Sequence, residues 1–298
     1  HNDLIKFLTP LGVEKVLVFG SSLTGLDFHG SDLDFYVQLR SHPVTEDETR
    51  IIISKAAKLT RVLKGSEFMI ICTIQGARVP LVRLLHRRSK VSCDVNFTSK
   101  FGYYNSYFLG HVVSFDKRIK ELAVILKIWA KSCKLPSNMI ISNYCLMMLM
   151  IFYLQNLQEP MLDTILNNQR TRSPMVLDEK KKWNFYFNDD INRTRFNHQS
   201  LRELLTGFFE YFSNINPQED VISLLLGQLV KRSDFAVHPD LEDARRLINS
   251  CGLPQFKVDS PEIFHVQDAF ELNLNIGIKT KKNVESFFEI IKLSHEKC

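Results

Sequence analysis

Three acidic residues and a glycine–serine pair carry the chemistry that can be read from this chain. Asp32 and Asp34 flank Leu33 in Gly30-Ser31-Asp32-Leu33-Asp34, and Asp94 stands inside Ser92-Cys93-Asp94-Val95-Asn96. A strand sets residues two apart on one face, about 6.6 Å along the chain, so Asp32 and Asp34 project together. Two carboxylates on one face repel, and a cation between them stabilises the pair. Asp94 falls in the middle of a β-prone stretch, where a lone acid is unexpected. Three hard oxygen donors from adjacent strands would suit magnesium, as one ion or two. Alone, Asp-x-Asp reads equally well as a turn cap beside a solvated face. The upstream Phe19-Gly20-Ser21-Ser22 changes that balance. Gly20 lets the backbone approach a ligand closely, and Ser21 offers N–H and hydroxyl donors to a phosphate. A phosphate-holding turn beside a metal-holding strand is what nucleotidyl transfer needs.

The elements that position these residues follow from hydrophobic periodicity. Residues 16–19 form an apolar run that stops at Gly20, a strand entering a turn. Residues 32–39 alternate for most of their length and read as a second strand. Residues 51–63 have helical spacing and end at Lys64-Gly65. Residues 77–85 and 91–97 are β-prone and are joined by the basic link His86-Arg87-Arg88-Ser89-Lys90. Together these predict a small α/β domain. Beyond Tyr107 the pattern becomes helical. Residues 116–134 carry Ile119, Leu122, Ala123, Leu126 and Ala130 at three- and four-residue steps. Ser142-Asn143 offers N-cap chemistry to an apolar helix running through Tyr153. Residues 201–212 and 221–229 are expected to be further helices, and the polar stretch 160–200 a long surface connection.

Composition narrows the classes. A chain of 298 residues, 45% hydrophobic and 24% charged, suits two folded domains rather than a disordered polymer. The net charge of +5 favours a polyanionic partner without establishing one. The longest apolar run, Tyr144 to Leu154, falls short of the roughly 20 residues a membrane span requires. No basic segment followed by an apolar run opens the sequence, which begins at His1 without a Met and reads as a trimmed chain. The six cysteines form no zinc spacing and mostly lie in apolar segments, which predicts buried, reduced thiols and a cytoplasmic protein.

With Gly-Ser, a spacer, Asp-x-Asp and a later third Asp, the chain resembles the polymerase-β-like nucleotidyltransferase superfamily. Further motifs resemble its non-canonical poly(A) polymerases and terminal uridylyltransferases. Ala77-Arg78-Val79-Pro80-Leu81-Val82 looks like that family's segment before the third aspartate. Asn105-Ser106 stands where the family touches the ribose hydroxyls. Lys127-Ile128-Trp129-Ala130-Lys131 matches the helix whose two lysines reach the triphosphate. Ser142-Asn143-Tyr144 matches Ser-Ser-Tyr, whose tyrosine stacks on the base. Leu204-Leu205-Thr206-Gly207-Phe208-Phe209 matches a further segment, and Gln267-Asp268-Ala269-Phe270-Glu271 resembles the nucleotide-recognition loop.

The resemblance implies an α/β plus α fold with the active site in the cleft between two domains. A nucleotidyltransferase domain with a mixed sheet and helices is expected over residues 9–107. A mostly helical central domain is expected over 108–298, with residues 1–8 packed on it. Asp32, Asp34 and Asp94 would be catalytic metal ligands for Mg²⁺, with Mn²⁺ as a substitute. Phe19, Gly20, Ser21, Asn105, Ser106, Lys127, Lys131, Asn143, Tyr144, Asp268, Glu271 and Leu274 would bind the nucleotide. The implied reaction is template-independent addition of UMP from UTP to an RNA 3′ end by a monomer. Adenylyl transfer from ATP is the alternative, and an inactive RNA-binding homologue a second one. Asn143 replaces a serine, Ala269 a proline, and Leu274 the histidine that uridylyl-transferring members carry before the Asn. With no separate RNA-binding module visible, RNA contacts are expected at Arg83, His86, Arg87 and Arg88, with Lys117, Arg118 and Lys120 as weaker candidates.

Overall fold

The computed structural model describes residues 1–40, 50–51, 54, 67–169, 185 and 197–298. The chain divides into two compact units, His1–Phe115 and Asp116–Cys298.

The first unit is built on a five-stranded sheet: β1 (Val13–Phe19), β2 (Leu33–Leu39), β3 (Phe68–Ile74), β4 (Leu81–His86) and β5 (Ser92–Asn96), in the order β1-β2-β5-β4-β3. Only the β2–β5 pairing is parallel. β2 is an interior strand covered on both faces, so Phe35, Tyr36 and Val37 are buried in succession. The two strands carrying Asp34 and Asp94 are thereby neighbours. Edge strand β3 was not expected from the sequence. The helix anticipated over residues 51–63 lies almost wholly outside the described residues.

Residues 1–8 belong to the first unit. The helix Asn2–Leu8 presents Leu4, Phe7 and Leu8 at helical spacing, and they join Phe35, Val37, Val95 and Phe97 in the core of the sheet. Helix Phe101–Phe115 also belongs to this unit, so the division falls after residue 115 rather than 107.

In the second unit, side chains cap the long helices. Asp116 accepts from the Arg118 N–H at the start of Lys117–Ser132, and Ser142 from the Cys145 N–H at the start of Asn143–Gln155. Ser200 and Glu203 form a capping box on Leu201–Ser213, and Thr280 caps Lys281–His295. The expected helix over 221–229 is instead a hairpin of β6 (Asp220–Ser223) and β7 (Gln228–Lys231), with β8 (His265–Gln267) parallel to β6. Its run of apolar residues is buried from Val221 to Leu226, a pattern in which helix and covered strand look alike. Gly227, at φ +64°, makes the turn. The stretch 160–200 is not purely superficial, since Phe185 is buried and stacks on Phe270 at 4.8 Å and Asn197 is buried.

All six cysteines are free. Cys93 and Cys145 are buried, whereas Cys72 and Cys298 are exposed, so the expectation of mostly buried thiols holds for a minority. Among the described residues no helix is long and apolar enough to cross a membrane.

Candidate active site

The acidic residues converge on one end of the β2–β5 pair. Asp34 and Asp94 are direct partners in the parallel register, and Asp34 also faces Phe19, the last residue of β1. Asp32 lies just before β2 and is exposed. Burial, then the charges of Asp94 and Asp32, push the Asp34 carboxyl up to about 6, with Arg83 opposing them. The cluster carries negative charge that its own surroundings do not fully relieve.

Gly20 brings its turn against this cluster. It adopts φ +70°, and a Cβ there would lie 1.9 Å from Asp34 Oδ2, so no other residue fits without moving the carboxylate. Ser21 opens a short helix, Ser21–Thr24. The Gly20 N–H donates to Ser106 Oγ at 2.8 Å, and that hydroxyl donates to the Gly102 carbonyl at 2.6 Å. Ser106 therefore ties helix Phe101–Phe115 to the turn, a duty the sequence did not suggest. Gly102 lets the helix sit on the Phe19 ring, which a Cβ would approach to 2.6 Å. Asn105 is half-buried, and its Oδ1 has no hydrogen-bond partner among the described residues, leaving an acceptor for a hydroxyl.

Donor chemistry at Asp32 and Asp34 fits a hard divalent cation, since both are carboxylates and Asp34 is repelled by Asp94 and Asp32, with Arg83 opposing in part. Asp94 is disposed differently. Arg83 donates Nε to Asp94 Oδ1 and Nη2 to Asp94 Oδ2, each at 2.7 Å. Among the described residues no three acidic, histidine or cysteine side chains are placed to hold one ion. Arg83, expected on an RNA-facing patch, is thus the partner of the third aspartate.

The second unit holds a different kind of constellation. Asp268 is fully buried: its Oδ1 accepts from the Phe270 and Glu271 N–H groups, and its Oδ2 from the Tyr144 hydroxyl, each at 2.9 Å. Asp268 shapes its loop and fixes Tyr144 instead of presenting a free carboxylate. Burial, then the Asp268 charge, raises the Tyr144 phenol well above its ordinary value, so it stays a donor. Asn275 Oδ1 accepts from the Val266 and Gly277 N–H groups, and the Leu274 carbonyl accepts from the Asp268 N–H at 3.0 Å. Leu274 is half-exposed and Glu271 is buried. Asn143 is exposed at the head of helix Asn143–Gln155. Lys127 and Lys131 lie one turn apart on helix Lys117–Ser132, the first half-buried and the second exposed.

The remaining basic candidates separate. Arg87 and Arg88 are exposed at the β4–β5 hairpin tip. His86 is drawn inward, with Asp3 at 3.5 Å and the Ser89 hydroxyl at 2.7 Å. Arg118 is committed to Asp116 and the Gln199 carbonyl, and Lys117 to Glu121 at 3.3 Å.

This sheet, with its paired aspartates beside a glycine turn, is a nucleotidyltransferase fold. Solved structures of the Cid1 poly(U) polymerase with MgGTP match 99% of this chain and 85% of that one, with a TM-score of 0.76 at 20% identity. The mtPAP complex with UTP matches 98% of this chain and 60% of that one, with a TM-score of 0.75 at 22% identity.

The relatives are poly(A) polymerases and terminal uridylyltransferases, so the resemblance drawn from the motifs holds. Residues 4–114 match the family described as Poly(A) RNA polymerase, mitochondrial-like, central palm domain. Speckle targeted PIP5K1A-regulated poly(A) polymerase of Danio rerio is 23% identical over 92% of this chain. Terminal uridylyltransferase 4 of Homo sapiens is 25% identical over 92%, and Poly(A) RNA polymerase GLD2-B of Xenopus laevis 27% identical over 74%. The chain spans 39%, 16% and 43% of the length of these three proteins.

Proposed function

We propose that this chain adds uridylates from UTP to RNA 3′ ends without a template, by metal-assisted nucleotidyl transfer. The observation that carries the reading is the Asp34–Asp94 pair in parallel register, with the Gly20 turn pressed against Asp34. Asp32 and Asp34 would hold the divalent cation, Mg²⁺ with Mn²⁺ as a substitute. When bound, it neutralises charge at the attacking and leaving oxygens. Asp94 positions the RNA 3′-hydroxyl and accepts its proton. The Gly20–Ser21 backbone cradles phosphate, and Asn105 accepts from a ribose hydroxyl. Lys127 and Lys131 hold the triphosphate, with Asn143 at its helix-end side. Tyr144 stacks on the base, and Asp268 locks that tyrosine in place.

Base identity needs a polar group, because every base has a π-face. Asp268 is engaged by three donors, and Glu271 is the second carboxylate of the loop. It can accept from uracil N3–H, whereas cytosine N3 presents only a lone pair. Leu274 supplies bulk that crowds a purine. We expect UTP to be preferred over ATP by about tenfold, roughly 1.4 kcal/mol. Leu274 also favours the second reading, adenylyl transfer, because its side chain offers the base no polar contact. Competition among the four nucleoside triphosphates on a short labelled RNA with Mg²⁺ separates the two. Uridylate addition that loosens toward ATP in Leu274→Ala supports the proposal. Faster incorporation of ATP by the wild type overturns it in favour of poly(A) synthesis.

A further inference from the structure

Arg83 and Asp94 are cross-strand partners in the β4–β5 hairpin, and their two parallel bonds engage both carboxylate oxygens. Such a fork is the strongest pairing available to these side chains, and it fixes the direction in which the carboxylate faces. The carboxylate so held is the one beside Asp34, yet the three aspartates are not placed to share an ion. The Arg83 side chain is 36% exposed, against 13% for Asp94. It therefore has room to withdraw. A dication at Asp32 and Asp34 would attract the Asp94 carboxylate and repel the guanidinium, so the fork and the cation compete for one group.

We propose that Arg83 is a positioning residue that latches Asp94, keeping the third carboxylate turned away from the Asp32–Asp34 pair until a divalent cation binds there. The proposal rests on reading Asp32 and Asp34 as a cation pair. While latched, Asp94 has both oxygens accepting from Arg83 and is poorly placed to take a proton from an incoming hydroxyl. Release couples the proton acceptor to the presence of the cation. Lysine at position 83 would keep the charge but replace the fork with a single point contact, a weaker latch.

Mn²⁺ binding, followed by electron paramagnetic resonance on the nucleotide-free and RNA-free chain, tests this without reference to turnover. Removing the competing cation in Arg83→Gln should tighten Mn²⁺ binding by about tenfold, and Arg83→Lys by about threefold. A side chain that only supported the fold would weaken Mn²⁺ binding when lost. Unchanged or weaker binding in Arg83→Gln, with a wild-type melting curve, overturns the latch. Should Arg83→Gln not fold, unchanged or weaker binding in Arg83→Lys overturns it equally. Asp32→Ala separates the two levels of the argument. If it binds Mn²⁺ as well as the wild type, the cation-pair reading fails and the latch with it. If it binds about tenfold more weakly while the Arg83 variants show no tightening, only the latch fails.

Discussion

The acid cluster of the first unit and the Asp268 loop of the second are both polar, yet they are held in opposite ways. Asp268 is fully buried, and three donors share its two oxygens. Asp34 lies beside two like charges, and burial, then those charges, raise its pKa to about 6. A satisfied buried network stabilises the fold, and breaking it leaves unpaired groups behind. A cluster of repelling carboxylates does the reverse, storing destabilisation that a cation would relieve. Stability and chemistry should therefore separate between the two regions.

Gly20 is where the contrast is sharpest, because the backbone itself occupies the space beside Asp34. Gly20→Ala should lower nucleotide addition by about a hundredfold or more and destabilise the protein by roughly 1–3 kcal/mol. Extension assays and urea titration would show both. A near-wild-type Ala variant would mean that the turn is not nested on the carboxylate.

Removing Asp268 tests the other side. Asp268→Ala leaves the Phe270 and Glu271 N–H groups and the Tyr144 hydroxyl without their acceptor, and should cost about 2–4 kcal/mol in urea unfolding. Asp34→Ala, in contrast, should leave the unfolding midpoint unchanged or slightly raised. Equal destabilisation by the two would erase the distinction drawn between the regions.

The pH dependence of stability should carry opposite contributions. Burial, then Arg232, lowers buried His265 to about 4 from 6.5. Because its folded value is depressed, its contribution is present above pH 6.5 and is lost as pH falls toward 4. Asp34 has a raised folded value, so its contribution is present below 3.8 and is lost as pH rises through about 6. Denaturation midpoints across pH 4–7 should therefore fall less steeply on acidification in His265→Phe, and more steeply in Asp34→Asn. The smallest effect is expected for Tyr144→Phe, which keeps the ring and loses one bond to Asp268, about 1–2 kcal/mol. Its nucleotide KM should rise little if stacking is the tyrosine's main contribution.

Much of the site was legible because its chemistry sits in local patterns. Asp34 and Asp94 lie on the strands their pattern predicted, with Asp32 just before one, and Ile119, Leu122, Ala123, Leu126 and Ala130 all line the buried face of the helix the spacing predicted. Arg83 was missed because it was grouped with the basic link that follows it. Counting outward from that link as a hairpin tip pairs Leu84 with Cys93 and Arg83 with Asp94, the register observed. The role of Asp268 also had a local signal, since an Asp commonly accepts from the N–H groups two and three residues on. Other features left no such mark. Residues 221–226 are buried without alternation, which hides the period of the 220–231 hairpin. Leu4, Phe7 and Leu8 specify an apolar helix face but not which unit covers it. Ser106 reaches Gly20 across the fold, a contact no short pattern encodes.

Extension of a short labelled RNA by the wild type and by Asp32→Ala, with each nucleoside triphosphate and Mg²⁺, tests the central claim most directly. The wild type should lengthen the RNA at its 3′ end, most efficiently with UTP, and Asp32→Ala should add nothing while melting as the wild type does. No extension by the wild type with any nucleotide, or undiminished extension by Asp32→Ala, would contradict the account.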